Sequence, residues 1–298
     1  MFLEALIGRA AENGKKTVAV AAAGDHEVLD AVCMATKRNL ANFLLYGDRG
    51  QIESMIAPPP DSSISIIHSP NPQKAAEEAV KAVSSGRANV LMKGNVQTSA
   101  LLKAVLNKEF GLRTGKILSH TAAFEIDGYD RLIFVTDAGM NIAPDLEQKA
   151  GIIKNAVELA NSLGIKNPKV APLCAVETVN PAMQATLDAA SLSAMNRRGQ
   201  ISGCTVDGPL ALDNAVSLLA AEHKGISGDV AGKADILLVP TIETGNVLYK
   251  SLVYFAKARV GAVICGAKAP IILTSRSDSS ESKLYSLALA LCSVPAQN

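Results

Sequence analysis

Short apolar runs alternate with helix-patterned segments along the whole chain. Residues 16–22 (KTVAVAA), 43–46, 63–68, 88–92 (ANVLM), 132–135, 170–175, 234–239 and 260–265 each read as a strand. Several are apolar at consecutive positions, the pattern of strands buried on both faces. Between them, apolar residues recur at helical spacing, as in Val28, Leu29, Val32 and Cys33, or Ala75, Ala79, Val80 and Val83. Asp25 and Asn71-Pro72 stand where helices should open. Residues 212–221 predict one helix. Residues 246–257 predict another, with Leu248, Leu252 and Phe255 on one side, and Pro58-Pro59-Pro60 closes a short one. Strict alternation of this kind predicts an α/β protein with parallel or mixed sheets. The 298 residues suffice for two such units, and the polar, turn-rich stretch at 125–130 marks a boundary between them.

Composition narrows the function. The net charge is +1 and the basic residues are scattered, so no nucleic-acid or anionic membrane surface is expected. No apolar run approaches the ~18–20 residues of a membrane span, and Met1 to Leu6 read as an amphipathic helix rather than a signal peptide. Cys33, Cys174, Cys204, Cys265 and Cys292 form no CxxC pair. They predict buried free thiols and a reducing cytoplasm. A cysteine nucleophile is the competing reading and needs a His or Asn partner. HExxH, paired Cys/His spacing, GxGxxG after a strand, the Walker loop and GxSxG are all absent, which leaves metal, dinucleotide and α/β-hydrolase chemistry with little support.

Two strand-turn-helix junctions remain. In the first, residues 273–283 (LTSRSDSSESK) follow an apolar run and lead into Leu284, Leu287 and Leu291 at helical spacing. Asp278 and Glu281 have the spacing of an N-cap and its N3 partner. Arg276 opposes the helix dipole at such a start, and a bound anion would account for it. In the second, residues 93–99 (KGNVQTS) place Lys93, Asn95, Thr98 and Ser99 where an anion could sit beyond a strand end. An ordinary loop capped by Thr98 or Ser99 fits the same residues.

Several linked motifs then carry a resemblance. Val206-Asp207-Gly208-Pro209-Leu210 with Asp213, Gly228-Asp229-Val230-Ala231-Gly232-Lys233-Ala234-Asp235, Thr244-Gly245-Asn246 with Tyr249-Lys250, and Thr274-Ser275-Arg276 resemble, in order and spacing, the phosphate acetyltransferase/butyryltransferase family. Met92-Lys93-Gly94-Asn95 with Thr98, and the segment from Ser275 to Leu291, resemble its butyryltransferase branch. The likeness covers most of the chain beyond about residue 88.

The resemblance implies a reversible reaction of acyl-CoA with phosphate to give acyl phosphate and CoA. It implies no cofactor and no metal, CoA being a substrate, and a homo-oligomer of two or more subunits. It further implies a two-domain α/β/α fold like that of the isocitrate and isopropylmalate dehydrogenases, with the active cleft between domains. Residues 1–126 and 262–298 would form the first domain and 127–261 the second. Ser275 and Arg276 correspond to the family's Ser-Arg pair. The family's base, an aspartate seven residues after that serine, falls on Ser282, so Glu281, and after it Asp278, is the expected base. An arginine of the family falls on Lys103, which keeps the charge without the bidentate fork, and Arg113 is a possible substitute. Lys93, Asn95, Thr98 and Asn246 complete the expected substrate contacts. The alternatives are a metal- and NAD(P)-dependent dehydrogenase, using Asp207, Asp213, Asp229 and Asp235, or a non-catalytic CoA-binding protein.

Overall fold

The computed structural model describes residues 2–56, 62–275 and 278–295, so Pro58-Pro59-Pro60 and Arg276 lie outside the described residues. Two compact units divide the chain: Met1–Lys116 with Val260–Asn298, and Ile117–Arg259.

The first unit begins with α1 (Leu3–Glu12), β1 (Lys16–Ala21), α2 (His26–Lys37), β2 (Ala41–Gly47), α3 (Arg49–Met55), β3 (Ile64–His68), α4 (Pro72–Ser84), β4 (Val90–Lys93) and α5 (Thr98–Val105). The second unit holds β5 (Ser119–Glu125), β6 (Ile133–Thr136), α6 (Leu146–Ser162), β7 (Lys169–Pro172), α7 (Gln184–Arg197), β8 (Thr205–Val206), α8 (Leu212–Val216), α9 (Leu218–His223), β9 (Ile236–Leu238) and α10 (Ile242–Tyr254). The chain then returns to the first unit through β10 (Arg259–Cys265), β11 (Ile271–Ile272) and α11 (Ser280–Ser293).

Strand order in the first unit is β3-β2-β1-β4-β11-β10. All pairs are parallel except β10 with β11. The late strand β11 pairs with β4 through Ile271↔Leu91 and Ile272↔Met92, and β4 pairs with β1 through Val20↔Met92 and Ala21↔Lys93. The carboxyl ends of β1, β4 and β11 therefore lie side by side. In the second unit the order is β5-β6-β9-β7-β8, antiparallel at β5/β6 and parallel beyond. β5 falls within that unit and pairs antiparallel with β6.

Helix α11 is buried from Lys283 through Cys292 and is the central helix of the first unit. It lies so close to β10 that a Cβ on Gly261 would stand 2.8 Å from the Tyr285 backbone. The Ser286 hydroxyl accepts the Ala262 N–H at 2.9 Å. At its far end, Lys16 donates to the carbonyls of Leu291 (2.8 Å) and Val294 (2.6 Å), meeting the partial negative charge of a helix C-terminus. Burial pulls the Lys16 pKa below its ordinary value.

Local structure departs from the sequence reading in four places. Asp278 does not cap α11; Ser279 does, accepting the Ser282 N–H at 3.2 Å, so Glu281 sits one position before N3. Neither Thr98 nor Ser99 caps α5, whose N-cap is Gln97 with no side-chain bond. The helix expected over 212–221 breaks at Ser217 into α8 and α9. There Gly232 approaches so closely that a Cβ on it would lie 2.5 Å from Leu218 Cα, and Ser217 turns to cap α9. The helix expected over 246–257 ends at Tyr254, leaving Phe255 88% exposed just beyond it, and Leu248 and Leu252 are only half-buried.

Candidate active site

Five strand-to-helix loops open at the carboxyl edge of the first unit's parallel strands, and three of them bear on the site. β1 leads to α2, β4 to α5 and β11 to α11. Ligands in open parallel sheets bind at such an edge. The β1 and β4 loops touch through their backbones: Gly94 N–H donates to Ala21 O at 2.8 Å and Asn95 N–H to Ala22 O at 2.6 Å. A Cβ on Gly94 would lie 2.2 Å from Ala22 O, so only glycine fits there. The Asn95 side chain donates to Gly24 O at 3.4 Å, which bridges the two loops. Lys93 is buried and donates to Gly94 O at 3.3 Å. Thr98 is exposed on the first turn of α5, where no side chain caps the free N–H groups. That start of α5 keeps donors and partial positive charge available for an anion.

Beside it, the turn after β11 is closed on itself. The Asp278 carboxylate accepts the Ser275 N–H at 2.7 Å, and the Asp278 N–H donates to Ser275 O at 3.2 Å. Ser275 is exposed and Asp278 half-buried. Glu281 is exposed, with its carboxylate accepting the Tyr285 hydroxyl at 2.9 Å. The Ser282 hydroxyl, at the position expected for a base, instead accepts a hydrogen bond from Ser279 at 3.2 Å.

Sequence reasoning missed two residues here. Glu27, in the first turn of α2, accepts the Ser280 N–H at 2.8 Å and so joins the starts of α2 and α11. Lys283 is 2% exposed and donates to the carbonyls of both Ser275 and Asp278. A lysine opening an otherwise apolar helical run was the available signal.

Other expected contacts lie elsewhere. Lys103 is exposed in the last turn of α5, about 7 Å along the helix axis from Thr98. Arg113 is exposed in a loop whose neighbours are tied to the β10–β11 turn, Thr114 to Gly266 O at 2.5 Å and Leu112 O to Lys268 N–H at 2.9 Å. That turn lies at the amino end of β11, and extended chain from Ile271 to Ser275 reaches up to roughly 13 Å. Within this unit Arg113 does not join the turns at the carboxyl edge.

Asn246 belongs to the second unit, exposed on α10. Its neighbour Gly245 brings α10 against the loop after β6, since a Cβ there would stand 2.7 Å from Asp137 O. Buried Asp137 organises that loop by accepting the N–H groups of Gly139 and Met140 at 2.9 Å and the Asn141 side chain at 2.6 Å. The acids considered as a metal cluster each have a structural contact where one is described. Asp207 accepts the Gly208 N–H at 3.0 Å, Asp213 pairs with Lys224 at 2.9 Å, and Asp235 accepts the Lys169 N–H at 2.8 Å. Hydrogen bonds from Lys224 hold the carboxyls of both Asp213 and Glu177 below their ordinary pKa.

The cysteines form no disulfide among the described residues. Cys204 and Cys292 are buried, whereas Cys33, Cys174 and Cys265 are half-buried. Burial pushes the thiols of Cys174 and Cys204 up to about 11. At pH 8 such a thiol is ionised to about one part in a thousand. Native protein should therefore react slowly with iodoacetamide at Cys174 and Cys204, reading each site by mass spectrometry. Fast labelling of either at pH 8 would contradict this and revive the cysteine nucleophile.

Comparison with known proteins bears on the whole chain. A sequence profile of the family described as phosphate acetyl/butaryl transferase matches residues 63–291. The chain is 59% identical over 292 residues to a probable phosphate butyryltransferase of Bacillus subtilis, covering 98% of each. It is 54% identical over 288 residues to a phosphate butyryltransferase of Clostridium beijerinckii, covering 96% of this chain and 95% of the other. A crystal structure of a branched-chain phosphotransacylase from Enterococcus faecalis superimposes with a TM-score of 0.85 at 39% identity, covering 95% of this chain and all of the other. The motifs that suggested this relationship and the matches across nearly the full length agree: this chain belongs to the phosphate acetyl/butyryl transferase family.

Proposed function

We propose that the protein is a phosphate acyltransferase that interconverts a short-chain acyl-CoA, butyryl-CoA foremost, and phosphate with acyl phosphate and CoA. The observation that carries the reading is the self-closed Ser275–Asp278 turn at the carboxyl edge beside the uncapped start of α5. Family membership supplies the reaction class, and the butyryltransferase relatives support a four-carbon acyl group.

In the direction of acyl-CoA synthesis, both substrates bind before chemistry. The CoA thiol, with a reference pKa near 8.5, gives its proton to a carboxylate. Its sulfur bonds to the acyl carbonyl carbon of the acyl phosphate. The tetrahedral oxyanion collapses, the carbon–oxygen bond to phosphate breaks, and phosphate leaves. Arg276 holds the phosphoryl group and stabilises the oxyanion, and Ser275 hydrogen-bonds the same centre. Glu281 is our choice of base: its carboxylate is exposed and held by Tyr285, whereas one oxygen of Asp278 is committed to Ser275 N–H. Lys93, Asn95 and Thr98 line the neighbouring loop, and Asn246 is assigned to CoA. Lys103 and Arg113 are assigned outer roles in drawing anions toward the protein.

We read the two units as the family's two domains, each α/β, on a dehydrogenase-like fold. A homo-oligomer in the cytoplasm, working without metal or redox cofactor, completes the proposal. The five cysteines form no disulfide, and among the described residues no helix is long and apolar enough to cross a membrane.

The direct test is release of free thiol from acetyl-, propionyl-, butyryl- and isobutyryl-CoA on adding phosphate, with the reverse rate also measured. Butyryl-CoA should have the highest kcat/KM. Each methylene removed should cost about 10- to 200-fold. No thiol release with any short acyl chain would sink the reaction itself.

A further inference from the structure

We infer that Lys283 is a positioning residue for this reaction: it holds both ends of the Ser275–Asp278 turn and sets a buried positive charge behind the reacting anion. The inference rests on the acyl-transfer reading above.

Its side chain is among the largest fully buried ones in the chain. The ammonium donates to Ser275 O at 3.4 Å and to Asp278 O. These carbonyls belong to the residues already joined by two other hydrogen bonds, so Lys283 clamps the turn from beneath. Among the described residues, no carboxylate comes within ion-pair distance of this ammonium.

Two of the three other buried lysines show what can compensate such a charge. Lys149 pairs with Asp188 at 2.5 Å. Lys16 caps the C-terminus of α11, where the helix dipole is negative. Among the described residues Lys283 meets only the Ser275 and Asp278 carbonyls, and it sits near the start of α11, where the dipole opposes a cation. Burying a charge without a counter-ion is costly. A methionine would fill the same space in a helix that continues with Leu284, Tyr285 and Leu287. A cation retained there supplies positive potential at a site that must receive a phosphate dianion. The low dielectric around a buried ammonium strengthens that attraction.

The test uses the full-length enzyme and the variants Lys283→Met and Lys283→Arg. For Lys283→Met, kcat should fall about 10- to 100-fold and the KM for phosphate should rise about tenfold, with the KM for butyryl-CoA unchanged within about threefold. Inorganic phosphate should raise the melting temperature of wild type and not of this variant. Lys283→Arg keeps the charge but not the compact ammonium, so its phosphate KM should stay near wild type while kcat remains lowered. Wild-type kcat and phosphate KM in Lys283→Met, or a parallel rise in both KM values, would overturn the inference. If Lys283→Met does not fold, Lys283→Arg decides alone. Lowered kcat at normal phosphate KM supports the role, and any other result overturns it. Loss of all turnover in wild type would instead count against the proposed reaction, so the two failures are distinguishable.

Discussion

Arg276→Ala lowers turnover about 100- to 1,000-fold without lowering the melting temperature. The size of the effect follows from where charge develops. Attack on the acyl phosphate carbonyl creates an oxyanion while the departing phosphate already carries negative charge. In the proposed mechanism the Arg276 guanidinium meets both, with hydrogen bonds that strengthen as that charge develops, so its loss should fall on kcat. The preserved melting temperature follows from the neighbouring residues. Ser275 and Asp278 are bonded to each other and clamped by Lys283, so the turn does not depend on Arg276 to hold its ends. Arg276→Lys should recover only part of the rate, because an ammonium lacks the bidentate fork. Steady-state kinetics with butyryl phosphate and CoA, alongside thermal melts, checks both halves. Turnover in Arg276→Ala within threefold of wild type would remove this residue from the mechanism.

Gly94→Ala carries the second large effect and acts through the backbone. The added Cβ would meet Ala22 O at 2.2 Å and Ala21 O and Ala22 C at 2.8 Å. All three are backbone atoms, so no rotamer change relieves the clash. The loops must part, weakening the bonds from Gly94 and Asn95 N–H to Ala21 and Ala22. Overpacking of this kind costs about 1–3 kcal/mol or more. In domains of 150–250 residues each kcal/mol lowers the melting temperature by roughly 2–4 °C. Turnover falls as well, because Asn95 and the start of α5 move with the loop. Gly8→Ala is the control. It lies inside α1 with nothing within 4 Å of the added methyl, and should stabilise by about 0.4–1 kcal/mol. Equal melting temperatures for Gly94→Ala and wild type would show that the two loops do not meet as described.

Much of the architecture was legible because it is written in local patterns. Asp25 caps α2 and Asn71 with Pro72 opens α4, since both signals act within one turn of chain. The start of α11 was not legible in the same way. Asp278, Ser279 and Ser280 all have side chains able to cap, and spacing favoured Asp278. The choice fell to Ser279 once Asp278 turned back to Ser275 N–H and Lys283 took its carbonyl. The break at Ser217 was invisible for a related reason. The helical pattern runs through it, and the interruption comes from Gly232 approaching out of a later segment.

Two physical levels thus divide the protein. Alternating short-range periodicities dictated an α/β chain, and linked motifs such as Thr274-Ser275-Arg276 and Met92-Lys93-Gly94-Asn95 identified its family, because each depends on residues close together in sequence. Tertiary structure alone put those two motifs side by side, through β11 returning to pair with β4. It alone brought Glu27 to the N–H of Ser280, buried Lys283 against the Ser275 and Asp278 carbonyls, and left Arg113 at the opposite edge of the sheet. Burial, counter-charge and strand adjacency depend on neighbours in space, and pairing across long stretches of chain leaves no trace in local spacing.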